Sequence, residues 1–190
     1  EDISVFASSF IGAANHPIQI EIYDIEVTCS VGIAVAPFDG TNYQVLLQKS
    51  HTALSRIKDS DVERFKYFEP KMEEHIKNKF KMVQHLKGAL TNNEFELHYQ
   101  PKVDLKTGIF VGCEALLRWC RSGNVMIPPA QFIPVAEESG LIVEIGKWVL
   151  ETACADCKRW HQQGLKNVPV AVNLSPLQFK KGNLQHIIFK

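Results

Sequence analysis

The sequence predicts an α/β protein made of two units that are joined by a helix. Short β-branched runs alternate with amphipathic helical stretches, which is typical of α/β folds with parallel crossovers. The chain has 190 residues, 45% of them hydrophobic and 22% charged, an ordinary globular composition that suffices for one or two domains. The second unit runs strand, strand, helices, strand, helix. This order predicts the start of a β/α barrel or of a layered sheet.

The charge balance and the cysteines limit the classes of function. Lysine plus arginine and aspartate plus glutamate each number 21, so no general basic field favours binding to nucleic acid. The five cysteines form no regular framework and favour a reducing, cytoplasmic compartment. No apolar run approaches the ~18 residues of a membrane span, although upstream segments could anchor a parent protein. The start, Glu1-Asp2-Ile3, has neither an initiator methionine nor a signal peptide, so we expect a longer parent.

The first unit is predicted to contain a helix followed by a strand–helix–strand arrangement. Residues 2–14 show helical spacing of apolar side chains, and residues 26–36 form a β-branched run that predicts a buried strand. Thr41 is predicted to cap a helix that continues to about Lys58. Residues 65–68 suit a closing strand.

A long amphipathic helix is predicted to join the two units. It begins at Pro70, a residue that is well tolerated in a first helical turn, and its apolar residues recur at spacings of three and four. Glutamates lie near its start and most lysines later, as the helix dipole prefers. The predicted boundaries are residues 1–69 for the first unit, 70–92 for the joining helix and 93–190 for the second unit.

The second unit is predicted to open with a hairpin. Residues 94–103 alternate apolar and polar side chains, residues 104–108 form the turn, and residues 110–119 return as the second strand. The remaining predicted elements are helices over residues 128–139 and 141–163, a strand over residues 168–173 and a helix that opens at residues 174–176.

The most informative stretch is residues 110–119, Phe-Val-Gly-Cys-Glu-Ala-Leu-Leu-Arg-Trp. Glu114 interrupts an apolar run, and a carboxylate in a sheet core needs a partner such as a cation or a metal. Arg118 falls on the same face of a strand, about 13 Å away at ~3.3 Å per residue. The pairing predicts a site for a phosphate ester and a divalent cation. An ion pair of Glu114 with Arg118 or with a lysine stays open as the alternative.

Several ordered motifs carry a family resemblance. Residues 97–104 are Leu-His-Tyr-Gln-Pro-Lys-Val-Asp, residues 114–119 are Glu-Ala-Leu-Leu-Arg-Trp, and residues 170–175 are Val-Ala-Val-Asn-Leu-Ser. Over about residues 93–190 the sequence resembles the N-terminal portion of EAL domains. The resemblance implies the first half of a modified TIM (β/α) barrel. It also implies metal-dependent hydrolysis of cyclic-di-GMP to pGpG, with Mg²⁺ or Mn²⁺, in bacterial second-messenger signalling.

The resemblance assigns roles to individual residues. Glu114 and Asn173 are implied to be catalytic metal ligands, because carboxylate and amide oxygens suit Mg²⁺ and Mn²⁺. Arg118 is implied to bind a phosphodiester oxygen of the substrate. Gln100 and Leu117 are implied to lie in the substrate site, with an ordinary strand glutamine and a core leucine as the alternatives.

Other polar residues receive structural interpretations. Glu137 resembles a glutamate that orders a loop. For Asn173, the alternative to a metal ligand is a residue that caps the following helix. Cys154 and Cys157 form a C-x-x-C without a second pair, which predicts core cysteines instead of a zinc site. His98 is predicted to point outward from its strand, without a role.

The first unit resembles the C-terminal portion of a GGDEF domain, the diguanylate cyclase fold. Residues 28–37, Thr-Cys-Ser-Val-Gly-Ile-Ala-Val-Ala-Pro, carry this resemblance. Lys58 matches a phosphate-binding lysine of that family and is interpreted as a remnant of a GTP-phosphate site. Asp61 and Val62 stand where a glycine and a phosphate-binding arginine are usual. The portion is therefore degenerate, and we do not expect it to cyclise GTP.

Three functions remain open for the parent protein at this point. The first is an EAL-type phosphodiesterase. The second is a receptor or regulatory module that binds cyclic-di-GMP without cleaving it, and the third is a structural βα fragment without a site. The residues Glu114, Arg118 and Asn173 favour the enzyme. A TIM barrel needs about 250 residues, so the remaining metal ligands would follow Lys190 and the 190-residue chain alone is expected to be inactive. A homodimer through the EAL domain is expected by analogy only.

Overall fold

The computed structural model describes residues 2–25, 27–58, 61–121, 123, 125–165, 168–181 and 184. The chain forms two compact units, one that ends at Asn78 and one that starts at Lys79. Within the described ranges, no helix combines the length and the apolar character that crossing a bilayer requires.

The first unit contains a helix, a hairpin and a parallel strand–helix–strand crossover. Its elements are α1 (Ile3–Ala14), β1 (Ile18–Ile20), β2 (Tyr23–Ile25), β3 (Val31–Ile33), α2 (Tyr43–Leu54) and β4 (Phe65–Tyr67). Strands β1 and β2 pair antiparallel, and β3 pairs in parallel with β4. Gly32 allows α2 to approach β3 closely, because a Cβ at this position would collide with the carbonyl oxygen of Ser50.

Two predicted elements of the first unit, helix α2 and the strand over residues 26–36, have different boundaries in the structure. Asn42 caps α2 in place of Thr41, because the Oδ1 atom of Asn42 accepts a 2.9 Å hydrogen bond from the Val45 amide. The helix ends at Leu54 and does not continue to Lys58. The strand predicted over residues 26–36 is limited to Val31–Ile33, the part that pairs with β4, and Glu26 lies outside the described residues.

Helix α3 (Pro70–Ala89) begins at the predicted proline. Its last turns pack within the second unit, where Leu86 is 2% exposed and Ala89 is fully buried. Both residues belong to the same hydrophobic cluster as Phe95 and Trp119. The end of α3 is therefore part of the core of the second unit.

The second unit is a four-stranded sheet with helices packed on one face. Its elements are β5 (Phe95–Val103), β6 (Phe110–Arg121), β7 (Val125–Ile127), α4 (Pro129–Ser139), α5 (Ile142–Gln162), β8 (Val170–Val172) and α6 (Pro176–Lys181). Strand β6 pairs antiparallel with β5 and β7 and in parallel with β8. The predicted order of strands and helices is present, and the short strand β7 is an addition to it.

The core of the second unit lies between the sheet and the helices. Trp119 and Phe132 are fully buried, and their rings make an edge-to-face contact at a centroid distance of 5.4 Å. The ring of Phe95 lies 5.9 Å from Trp119, 6.1 Å from Phe132 and 6.0 Å from Trp148. Because strand side chains alternate between faces, the residues between these apolar positions project from the opposite face of the sheet.

The turn between β5 and β6 is organised by one carboxylate. The Oδ1 atom of Asp104 accepts hydrogen bonds from the Lys106 amide at 2.9 Å, the Thr107 amide at 2.8 Å and the Thr107 hydroxyl at 2.9 Å. Gly108 follows with a φ of +68°, which a glycine adopts without strain. The turn joins the two strands that carry the polar face, and their register shifts between Val103 and Lys102 before that face begins.

We expect this turn to loosen only at a pH below the pKa of an unperturbed aspartate. The hydrogen bonds from the Thr107 amide and hydroxyl, and then from the Lys106 amide, hold the pKa of Asp104 below its usual value. A lowered folded-state pKa gives stability that is fully present above the unfolded pKa and is lost as pH falls through the folded value. The amide NMR chemical shifts of Lys106 and Thr107 should therefore change together, with a midpoint at a pH below ~3.9, the pKa of an unperturbed aspartate. Asp104→Asn should abolish the transition, and a midpoint at or above that value would contradict the prediction.

Candidate active site

The polar face of the sheet brings four of the sequence-predicted residues together. Gln100 lies directly opposite Glu114 in the β5–β6 register, and Glu114 lies opposite Ala171 of β8. Residues that are directly opposed in a sheet share a face, and Arg118 shares it by alternation along β6. Asn173 follows β8 directly and extends toward the same place.

Glu114 has two partners on this face. The Nδ2 atom of Asn173 donates a 2.8 Å hydrogen bond to Oε1 of Glu114, and the Nζ atom of Lys102 lies 3.0 Å from Oε2. The bond from Asn173, and then the ammonium group of Lys102, hold the pKa of Glu114 below its usual value. The sequence left open an ion pair of Glu114 with Arg118 or with a lysine, and the structure has the pair with a lysine, Lys102. Lys102 could have been found, because it follows Gln100 by two residues and so shares its strand face.

Lys102 reaches Glu114 across a gap in the sheet surface. It lies opposite Gly112, which has no side chain, so the ammonium group extends over this glycine to the next residue on the same face. A Cβ at Gly112 would lie 2.7 Å from the carbonyl oxygen of Pro169, so no larger residue fits there without a shift of the backbone.

Arg118 does not pair with Glu114. Its Nη1 atom donates a 3.0 Å hydrogen bond to the carbonyl oxygen of Leu117. A guanidinium group has five N–H donors, so this one bond leaves it able to bind an anionic ligand.

The polar face continues past Arg118 to a second group of side chains. The Oε1 atom of Glu96 accepts a hydrogen bond from Sγ of Cys120 at 3.2 Å and lies 2.8 Å from Nε2 of His98. These contacts, that of Cys120 first, lower the pKa of Glu96, and Glu96 raises the pKa of the Cys120 thiol. His98 points outward from its strand, as predicted, and its half-exposed side chain lies two residues from Gln100 on the same face.

Leu117 is not on the polar face. It packs against the buried cluster that contains Trp119, as the core-leucine alternative expected. Alternation places Leu116 between Glu114 and Arg118, and this half-buried residue was missed by the sequence reasoning. Counting in steps of two from Glu114 would have identified it.

Cys154 and Cys157 lie on α5, away from these residues in sequence. Cys154 is exposed, so the prediction of a core cysteine is wrong for this residue. Cys157 is half-buried, and burial is the main cause that raises the pKa of its thiol.

Glu114 and Asn173 fit a divalent cation in ligand type and in spacing. Neighbouring ligands of an octahedral ion at ~2.1 Å lie about 3 Å apart, and the two side chains meet at 2.8 Å. A half-turn of the Asn173 amide exchanges its nitrogen for its oxygen, which is the atom that binds Mg²⁺ or Mn²⁺. Among the described residues, no group of three His, Cys, Asp or Glu side chains is suited to hold a metal, so this pair is only part of a complete ligand set.

The loop that carries Asn173 is held by helices on its far side. Ser175 donates a 2.7 Å hydrogen bond from Oγ to Oε1 of Glu137 on α4. The Leu177 amide donates to the Ser175 hydroxyl at 3.3 Å, so Ser175 takes the capping role that was the alternative for Asn173. The contact also agrees with the interpretation of Glu137 as a glutamate that orders a loop.

A cavity of about 220 Å³ opens beside these residues and is lined in part by Arg118, Asn173 and Ser175. It is smaller than the about 300–1,000 Å³ of pockets that enclose a drug-sized ligand. A ligand as large as a dinucleotide would therefore lie mainly across the polar face.

In the first unit, Lys58 is exposed in the loop that follows α2. Its amide donates a 3.1 Å hydrogen bond to Oδ2 of Asp61, and Nζ of Lys66 lies 2.8 Å from the same oxygen. Asp61, at the position where the resembled family has a glycine, therefore holds the backbone of this loop.

Comparison with known proteins decides the family of the second unit. The family model described as EAL domain matches residues 83–189, more than half of the chain. The chain belongs to the EAL domain family. The match begins within α3, whose last turns pack in the core of the same unit.

The EAL domain has relatives of known name and structure. The bifunctional diguanylate cyclase/cyclic di-GMP phosphodiesterase MucR of Pseudomonas aeruginosa is 36% identical over 183 residues, covering 96% of this chain and 27% of MucR. The cyclic di-GMP phosphodiesterase PdeR of Escherichia coli is 34% identical over 176 residues, covering 93% of this chain and 26% of PdeR. The chain thus spans about a quarter of the length of these curated relatives.

A solved structure of the phosphodiesterase part of MucR, in complex with c-di-GMP, has a similar fold. It superposes with a TM-score of 0.54 and 43% sequence identity, over 57% of this chain and 44% of that chain.

Proposed function

We propose that the EAL domain hydrolyses cyclic-di-GMP to pGpG in the protein that carries it, with Mg²⁺ or Mn²⁺. The observation that carries the proposal is the 2.8 Å contact between Glu114 and Asn173 on the face that also bears Arg118. The relatives support the same substrate, because MucR and PdeR are named as cyclic di-GMP phosphodiesterases and the MucR structure is a complex with that nucleotide.

In this proposal, Glu114 and Asn173 would hold the cation, which would supply Lewis-acid polarisation of the phosphate and activation of water. A glutamate carboxylate is ionised at neutral pH, and the contacts with Asn173 and Lys102 that lower the pKa of Glu114 keep it ionised in more acidic solution as well. The ammonium group of Lys102 gives up its contact with Glu114 when the cation binds.

The substrate contacts come from the rest of the polar face. Arg118 donates hydrogen bonds to a phosphodiester oxygen, since a planar guanidinium group matches this geometry. Gln100, directly opposite Glu114, offers its amide to the substrate beside the cation. Leu116 replaces Leu117 as the apolar residue of this face, and Leu117 acts in the core.

We also propose that the first unit is the C-terminal portion of a GGDEF-like domain without cyclase activity. The alignment with MucR supports this assignment, because it covers 96% of this chain and MucR is named as a diguanylate cyclase as well. Lys58 would be a remnant of the GTP-phosphate site, with its loop held by Asp61. A cytoplasmic location and a homodimer through the EAL domain complete the proposal.

The test is the release of pGpG from cyclic-di-GMP by a protein that carries these residues within a complete barrel. We expect hydrolysis that requires Mn²⁺ or Mg²⁺ and yields the linear dinucleotide. We expect no hydrolysis by the 190-residue chain alone, because the proposed cation ligands among its described residues are Glu114 and Asn173, and the others are expected from a complete barrel. Binding of cyclic-di-GMP by the complete protein without hydrolysis would contradict the proposal and would identify a receptor.

A further inference from the structure

We propose that Glu137 and Ser175 are positioning residues that set the place of Asn173 for cation binding, an inference that rests on the proposed function of Asn173. Neither residue touches the cation or the substrate in this account. They act through the short loop between β8 and α6, in which Asn173 and Ser175 are separated by a single residue, Leu174.

The first anchor of this loop is the bond from Ser175 to Glu137. The Oγ atom of Ser175 lies 2.7 Å from Oε1 of Glu137, a distance typical of a hydroxyl bound to an ionised carboxylate. Bonds of this kind are stronger than those between neutral groups, and Glu137 is half-buried near the end of α4. The loop is thus tied to a helix that packs in the core.

The second anchor is a buried amide on α6. The Ser175 amide donates a 2.9 Å hydrogen bond to Oε1 of Gln178, whose side chain is only 3% exposed. Gly146 on α5 makes room for this side chain, because a Cβ at Gly146 would collide with the amide of Gln178. The hydroxyl and the amide of Ser175 are therefore each held by a side chain, one on α4 and one on α6.

Asn173 needs this support because it is itself exposed. Its side chain donates a hydrogen bond to Glu114, and its backbone lies just outside β8. A displacement of about 1 Å at such a ligand is enough to weaken a site, and outer contacts of metal ligands are worth ~10–100-fold in metal affinity. Fixing Ser175 fixes the backbone two residues earlier, and with it the direction from which the amide of Asn173 approaches Glu114.

The experiment follows the side-chain amide signals of Asn173 by NMR in the 190-residue chain, with Mn²⁺ affinity as the second measurement. Glu137→Ala and Ser175→Ala should move the Asn173 signals toward those of Glu114→Ala, in which the acceptor is gone. Both should weaken Mn²⁺ binding by about 10-fold or more. Glu137→Gln and Ser175→Thr should have the Asn173 signals and the Mn²⁺ affinity of the unaltered chain, because each keeps a side-chain group that can form the hydrogen bond.

Glu138→Ala is the matched control. Glu138 neighbours Glu137 on α4, is exposed, and pairs with Lys79 instead of Ser175, so its removal should leave the Asn173 signals unchanged. Gly146→Ala gives an independent route, because it should displace Gln178 and shift the same signals without altering Glu137. It also covers the case in which Glu137→Ala does not fold.

The outcomes separate this inference from the function on which it rests. Unchanged Asn173 signals in Glu137→Ala and Ser175→Ala would overturn the positioning role. Absence of Mn²⁺ binding in the unaltered chain would instead overturn the proposed cation site. Equal effects of Glu137→Ala and Glu138→Ala would also overturn the positioning role, since they would indicate a general effect of charge on α4.

Discussion

Replacing Glu114 with glutamine is expected to remove hydrolysis of cyclic-di-GMP and to weaken Mn²⁺ binding by at least about 100-fold, since loss of an outer contact alone costs ~10–100-fold. Glutamine has nearly the same shape but carries no charge, so it removes the anion that holds the cation. The measurements are pGpG release by a protein with a complete barrel and a Mn²⁺ titration of the same protein.

The control for this substitution is Glu151→Gln. Glu151 lies exposed on α5, with its Oε1 atom 3.9 Å from Nζ of Lys147, and it is remote in sequence from the polar face. The change of charge is identical, so activity and Mn²⁺ affinity should remain those of the unaltered protein. Retention of full activity in Glu114→Gln would contradict the assignment of Glu114 as a cation ligand.

Trp119→Ala is expected to cause the largest loss of stability. Trp119 is fully buried, its ring contacts Phe95 and Phe132, and its Nε1 atom donates a 2.9 Å hydrogen bond to Oε2 of Glu94. Removing a buried aromatic side chain costs about 3–5 kcal/mol, against a total stability of about 5–15 kcal/mol for a typical domain. We therefore expect the EAL unit to unfold at a much lower urea concentration.

The matched control is Phe179→Ala on α6. Phe179 is 65% exposed, so its removal leaves no cavity and should shift the urea midpoint little. The unfolding of the second unit can be followed by the NMR signals of β5 and β6. Equal midpoints for Trp119→Ala and Phe179→Ala would contradict the description of this core.

Patterns with a strict period were predicted well from the sequence. Glu114 and Arg118 were placed on one face by alternation, and the structure has Gln100 on the same face. The start of α3 at Pro70 was predicted from the tolerance of proline in a first turn. These predictions depend only on local geometry, which the sequence specifies directly.

Features that depend on a partner were not predicted. Asn42 and Thr41 are both suitable caps, and only the hydrogen bond to the Val45 amide selects Asn42. The strand over residues 26–36 is limited by the length of its partner β4. Strand β7, with three residues, is too short to show any period.

The site shows the same division between local and long-range information. Alternation along β5 places His98 on the same face as Gln100, but its contact with Glu96 was not predicted. The pair of Lys102 and Glu114 requires the cross-strand register and the absence of a side chain at Gly112. The tie between Ser175 and Glu137 joins residues 38 positions apart, and no local pattern indicates it.

The most direct test of the central claim is the broadening of NMR signals by Mn²⁺ in the 190-residue chain. If Glu114 and Asn173 form one cation site, the signals of residues around both should broaden first. Glu114→Gln and Asn173→Ala should each remove the effect. Broadening that is centred elsewhere in the chain, or that persists in both variants, would contradict the account.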